Sequence, residues 1–169
     1  MIPPPSPIRP TPIIWASSLA KSVTAMDAPE QTRYRKIFQK AFLPPVVARW
    51  GESIVPRLVK HRIERFIQRG KADLVADFSL LFPFDFIMEL MALPEEDREI
   101  FQKLAFGQLF IKFDPLHGMD AVEKLKTYLT DLVHERRERP ASDDDLVHQL
   151  AVAEVDGARL PDDVVIAFF

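Results

Sequence analysis

The chain contains no cysteine. Without a thiol it has no disulfide framework, no thiolate nucleophile and no cysteine-held metal. Glycine is scarce: five residues, at 51, 70, 107, 118 and 157, are too scattered to build a loop that cradles a phosphate. Positive charge is not in excess. Twenty-two Lys and Arg stand against 25 Asp and Glu, a net charge of -3, whereas a dedicated nucleic-acid binder carries a basic footprint. The four histidines, His61, His117, His134 and His148, show no metal-ligand spacing. "HERRE" (134–138) begins like the helical zinc motif, but Glu138 stands where its second histidine belongs. All four histidines are therefore read as surface or interface residues, and no metal site is assigned.

Long uncharged apolar runs are missing as well. The most apolar window, Leu74 to Leu93, is interrupted by Asp77, Pro83, Asp85 and Glu89. Each central acid would cost a membrane helix about 2.5–3.5 kcal/mol, so this window reads as a buried helix and not as a membrane span. Residues 1–12 hold six prolines, and the "IIWA" that follows is too short for the apolar stretch of an export signal. With neither export nor anchor signal, the expected location is cytoplasmic.

What is present is enough for one core: 169 residues, 47% of them apolar, which is too rich for a disordered chain. Residues 1–25 have no usable period, and their prolines favour extended backbone. They read as an irregular arm ahead of a helical domain over 26–169. Asp27 resembles an N-cap with Glu30 three residues on, and Tyr34, Ile37, Phe38, Ala41 and Phe42 follow at helical spacing. A second helix is expected from Pro45 to Arg69, with Trp50, Ile54, Leu58, Ile63, Phe66 and Ile67 in the core, Gly70 as its C-cap and a kink at Pro56. A third, Asp73 to Met91, is apolar nearly all round and should be central, with a kink at Pro83.

"LPEEDRE" then starts a fourth helix carrying Ile100, Leu104, Phe106, Leu109, Phe110 and Phe113, with Glu95 and Arg98 as an ion pair at its start. "DPLHG" reads as a turn. A fifth helix spans Met119 to Arg139, its end solvated by Arg136, Arg137 and Arg139; a sixth spans Asp143 to Val155. "DGARL" is a turn or small hairpin. Pro161, Asp162 and Asp163 open a last helix that runs into the apolar Val164–Phe169. The fold class is all-α, with six or seven helices and at most one small strand pair.

Charge is sorted on the first helix. Arg33, Lys36 and Lys40 share the face opposite the apolar stripe, whereas Gln31, Arg35 and Gln39 form an i, i+4 row along its flank. An arginine at that boundary should be half-buried and in need of a partner. Its fork of donors suits a carboxylate, supplied by the protein or by a ligand.

Three stretches carry a resemblance to a known family. "MDAPEQTRYRKIFQKAFLP" is similar to "MDPPEHTRLRRLVSKAFTP" of the soluble bacterial cytochromes P-450, the haem-thiolate monooxygenases. "DLVADFSLLFPFDFIMELMALPEEDREIF" resembles the family's "DLV-D-A-PLP--VI-ELLGVPEEDR--F", and "DDLVHQLAVAEVDGARLPDDVVIAFF" its "DDLLS-L--AE-DG-RLTDEEL". The order and approximate spacing agree, and together the three cover Met26 to Phe169. The resemblance implies a partial cytochrome P-450 helical fold. It assigns Arg35 to a haem propionate, with Gln31 in place of the usual histidine: an uncharged amide that can still donate a hydrogen bond. It places Phe110 and Phe113 in the apolar lining of the substrate chamber.

The complete family member uses haem, a small apolar substrate and an electron-transfer partner of the ferredoxin/reductase type. This sequence departs from that pattern. Ala92 replaces a glycine, a minor change on sequence grounds. The oxygen-binding helix motif and the cysteine loop that holds the iron do not appear, so no residue is assigned a catalytic role and stable thiolate-ligated haem is not expected. The expected function is that of a haem-monooxygenase fragment, inactive by itself. The alternative is a non-enzymatic helical interaction module or the product of a broken gene. If Leu74–Leu93 and Val164–Phe169 lack the partners that would bury them, the purified chain self-associates; sedimentation velocity showing a monodisperse monomer with a sharp cooperative melt would contradict this.

Overall fold

The computed structural model describes residues 26–142 and 144–169. They form seven α-helices and one two-stranded ribbon: α1 (Glu30–Ala41), α2 (Pro44–Ile67), a π-helical turn (Val75–Ser79), α3 (Phe82–Leu90), a 3-10 turn (Glu95–Asp97), α4 (Arg98–Leu109), α5 (Pro115–Glu138), α6 (Leu146–Ala151), β1 (Glu154–Val155), β2 (Ala158–Arg159) and α7 (Asp162–Ile166). The all-α expectation holds, strand pair included. The proline-rich arm (1–25) and Asp143, expected to open the sixth helix, lie outside the described residues.

Proline and aspartate set most helix starts. Pro44 and Pro45 open α2, where their missing N–H groups cost nothing. Asp114 caps α5 by accepting the N–H of His117, with Pro115 as the first helical residue. "DPLHG" is therefore the first turn of α5 and not a separate turn. That same main-chain N–H is the main influence holding the Asp114 carboxyl below its ordinary range. Pro83 likewise begins α3 instead of kinking a longer helix, and the residues before it form the π-helical turn. Helix α2 runs unbroken through Pro56. The Asp27 side chain does not cap α1, which starts three residues later; the Asp27 carbonyl accepts the Gln31 N–H instead. The fourth helix ends at Leu109, short of Phe113.

Helices α4 and α5 pack against each other closely. A Cβ at Gly107 would lie 2.6 Å from the Ala121 Cβ, and one at Gly118 would lie 2.6 Å from the Ile111 Cα. Gly107 leaves room for the Ala121 methyl of α5, and Gly118 for the Ile111 backbone just past the end of α4. The core gathers Trp50, Met88, Met91, Leu93, Phe101, Leu125, Leu129, Val133, Val147, Leu150, Leu160 and Val165 from every layer. Two expectations about it fail. Ile63 and Ile67 are exposed, because α2 turns Arg62 inward to meet Asp85 of α3. The window from Leu74 is not central: Leu74, Val75, Leu80 and Ile87 are exposed, and only its end, around Met88 to Leu93, is deeply buried. Conversely, Val164 and Val165 are buried, and Ile166, Phe168 and Phe169 pack on the core. Phe168 stacks on Phe38 with ring centres 5.1 Å apart.

The charged end of α5 departs most from expectation. Arg136 is not solvated but 3% exposed. Its Nε lies 2.8 Å from Asp145 Oδ2, a close ion pair without hydrogen-bond alignment at that atom. Its Nη2 donates to the Ala92 carbonyl at 3.2 Å, and its Nη1 faces Glu135 at 2.7 Å. Asp145 is itself buried and accepts the N–H groups of Ala141 (2.9 Å) and His148 (3.0 Å), capping α6. His148 Nδ1 lies 2.5 Å from the Arg136 carbonyl, so that nitrogen carries the proton. Ala92 sits at φ 48, a left-handed conformation that costs a residue with a Cβ on the order of 1–2 kcal/mol. Replacing glycine there is thus not a minor change.

The "DGARL" segment is a hairpin. Asp156 (φ 52) and Gly157 (φ 80) form its two-residue turn; positive φ at both positions is the signature of a turn that matches strand twist. Two outcomes follow, both read by urea unfolding. Asp145→Ala leaves a buried guanidinium unpaired and should lower stability by about 3–5 kcal/mol, with Asp145→Asn intermediate because the amide oxygen can keep one cap. Ala92→Gly should raise stability by about 0.5–1 kcal/mol; an unchanged midpoint would mean the left-handed turn is not strained.

Candidate functional site

The flank of α1 was the strongest sequence lead. Arg35 is exposed, not half-buried. It has no ion-pair or hydrogen-bond partner among the described residues. Gln31, one turn earlier, is half-buried. On the opposite face Arg33 pairs with Asp156 at the hairpin tip, while Lys36 and Lys40 are exposed. The protein thus engages Arg33 and leaves the Arg35 fork available for a carboxylate.

Phe110 and Phe113 lie together just past the end of α4, with ring centres 6.2 Å apart. Both are exposed, at 54% and 83%, and Leu109, Leu116 and Met119 beside them are exposed too. They form one apolar patch at the α4–α5 corner, remote in sequence from Arg35. Glu95 and Arg98 form the expected pair at the start of α4, 3.0 Å apart. Arg98 also reaches Glu89 at 3.1 Å, and Glu89 in turn pairs with Arg57 of α2. This places the pair in a bridge from α2 through α3 to α4.

The histidines are dispersed. His61 is exposed. His117 Nδ1 is 2.7 Å from Asp114, His134 Nε2 is 2.8 Å from Asp162, and His148 is held by the Arg136 carbonyl. Among the described residues no group of three or more His, Asp and Glu could hold a metal ion, and no helix is long and apolar enough to cross a membrane.

One polar contact had no signal in the sequence. Tyr128 of α5 donates to Asp97 Oδ2 at 2.8 Å, tying α5 to the turn that begins α4. Burial, reinforced by the Asp97 carboxylate, pushes the Tyr128 phenol well above its ordinary value of 10.0. Asp97 and Tyr128 stand 31 positions apart, and only the fold brings the carboxylate to the hydroxyl.

The chain is similar to cytochromes P-450. It is 35% identical over 151 residues to a protein described as putative cytochrome P450 123 of Mycobacterium tuberculosis, matching 87% of this chain and 37% of that protein. Over 141 residues it is 32% identical to the polyketide biosynthesis cytochrome P450 PksS of Bacillus subtilis, covering 80% of this chain and 33% of PksS. The solved structure of PksS superposes with a TM-score of 0.80 at 28% identity, over 89% of this chain and 38% of that one. The LnmA cytochrome P450 hydroxylase from the leinamycin pathway of Streptomyces atroolivaceus gives 0.76 at 29% identity, over 94% and 39%. The chain thus spans little more than a third of the length of these relatives. No protein-family model matches it.

The Tyr128 contact makes a pH-dependent prediction. Because the folded phenol binds its proton more tightly than the unfolded one, its contribution is intact below about pH 10 and falls as pH climbs beyond that. Tyr128→Phe should lower stability by about 0.5–1.5 kcal/mol at neutral pH and flatten the alkaline decline. Urea midpoints between neutral and alkaline pH, with tyrosinate absorbance as the titration signal, test this; equal alkaline slopes in both proteins would refute it.

Proposed function

This chain is a cytochrome P-450 segment, and from that premise we propose that it supplies two parts of a haem monooxygenase while being inactive by itself. One part is a cationic contact for a haem propionate, made by Arg35 with Gln31 beside it. The other is a stretch of apolar substrate roof at the α4–α5 corner, including Phe110 and Phe113. The observation that carries the reading is joint agreement of fold and sequence with enzymes of one family, over nearly the whole described chain. Support for the contact is that Arg35 is exposed and partner-free among the described residues; support for the roof is the exposure of five apolar side chains, Leu109, Phe110, Phe113, Leu116 and Met119, at that corner.

Haem held by a cysteine thiolate supplies oxygen activation in the complete family member. The residues present here fit only part of that group. A guanidinium and an amide donor suit a carboxylate, but the chain has no cysteine to supply a thiolate; His117, His134 and His148 are engaged by other protein groups, and His61 is exposed on α2. No oxygen-activating step is therefore assigned to this chain. In the complete enzyme the reaction would insert one oxygen atom into a small apolar substrate, with electrons from a ferredoxin/reductase-type partner, in the cytoplasm. No observation favours the alternative of a non-enzymatic interaction module.

Haem titration tests the proposal. Reduced protein with haem and carbon monoxide should show no thiolate-type band; such a band would overturn the inactive reading. Arg35→Ala should weaken haem retention about two- to fivefold, the range of an exposed ion pair. The difference should vanish with the dimethyl ester of haem, which has no free carboxylate. Equal retention of free haem by both proteins would remove Arg35 from the contact.

A further inference from the structure

The last turns of α2 gather three arginines on one side. Arg62, Arg65 and Phe66 on the helix, and Arg69 just beyond its end, line a cleft of about 290 Å³ whose other wall is Asp77 of the π-helical turn and Leu81. The spacing i, i+3, i+4, i+7 puts all four side chains of the α2 segment on one face. Arg62 is 6% exposed and is held rigidly by a two-point contact of its Nε and Nη2 with the carboxylate of Asp85. Arg69 Nη2 lies 2.8 Å from Asp77 Oδ1, and Asp77 Oδ2 accepts the Asp73 N–H at 3.0 Å. The Arg69 hydrogen bond is the main influence keeping the Asp77 carboxyl below its ordinary range, so the pair is charged at neutral pH. Arg65 is exposed and has no partner among the described residues.

Arg62 and Arg69 are thus each paired with a carboxylate, whereas Arg65, which also lines the cleft, has no partner among the described residues. Attraction to the helix C-terminus accounts for Arg65 and Arg69 as cations near a helix end. Asp85 accounts for the buried Arg62, but neither that pair nor the helix end accounts for the convergence of Arg65 and Arg69 with Phe66 and Leu81 on one hollow. Planar guanidinium forks match phosphate oxygens in pairs, and Phe66 and Leu81 give the same hollow an apolar wall. Its volume, at the small end for ligand pockets, suits a compact molecule.

We propose that this cleft is a binding site for a small phosphomonoester with an apolar stem. Its phosphate meets the exposed Arg65, and its stem lies against Phe66 and Leu81. The site stands apart from the Arg35 flank and from the α4–α5 corner, and it is independent of haem.

Isothermal titration of the purified chain with phenyl phosphate, inorganic phosphate and phenol tests the site. Phenyl phosphate should bind saturably at one site with a Kd near or below about 1 mM; phosphate should bind more weakly, phenol not measurably, and added salt should weaken both anions. Arg65→Ala removes an exposed side chain without touching the core and should weaken phenyl phosphate roughly tenfold, with Arg65→Lys losing less. Lys103→Ala, on the exposed face of α4, should change nothing. Absence of saturation, or equal losses in the Arg65 and Lys103 variants, would overturn the site. Inorganic phosphate binding as tightly as phenyl phosphate would overturn the apolar half of the assignment.

Discussion

One buried cation organises this fold. Arg136 joins the end of α5 to the start of α6 through Asp145 and to the turn between α3 and α4 through the Ala92 carbonyl. Taking a guanidinium out of water is costly unless charge and hydrogen bonds replace its hydration, and here a buried carboxylate and a main-chain carbonyl do so. The same carboxylate caps α6, so one side chain both neutralises Arg136 and satisfies helix-end N–H groups. The arrangement admits little slack: shifting α6 along α5 would strand a charge, and straightening the turn at Ala92 would withdraw the carbonyl. Arg62 with Asp85 repeats the device between α2 and α3.

These two pairs also show where sequence reading succeeds and where it stops. Helical periodicity, proline placement and the Asp–Gly pair located nearly every element, because those signals are local. The buried arginines were not legible for the same reason. Arg136 stands in a run of charges whose default reading is a solvated helix end, and its partner lies beyond a loop. Ile63 and Ile67 drew attention as apolar residues at core spacing, yet the fold rotates α2 so that a polar neighbour faces inward. The window from Leu74 was overread for a related cause: high apolar content argues for burial, but only packing decides which half receives it.

The candidate site divides likewise. Family resemblance pointed to Arg35, and the structure finds it unengaged among the described residues; its predicted half-burial rested on helical spacing, which does not say how far along the flank burial extends, and it reaches Gln31 but not Arg35. Phe110 and Phe113 were placed on a helix and are found beyond it, on an exposed corner. Among the described residues the two leads stay apart, Arg35 on the exposed flank of α1 and Phe110 with Phe113 at the α4–α5 corner.

The stacking of Phe38 on Phe168 has a consequence in time. About 130 positions separate the two rings, and Arg33 meets Asp156 across a similar span. During synthesis at roughly 5–20 residues per second, α1 leaves the ribosome on the order of ten seconds before its docking surface exists. Through that interval Phe38 has only its local neighbour Phe42, itself against Trp50, to cover it, so α1 is made well before it can be fully seated, and the nascent chain depends on whatever shields it until then.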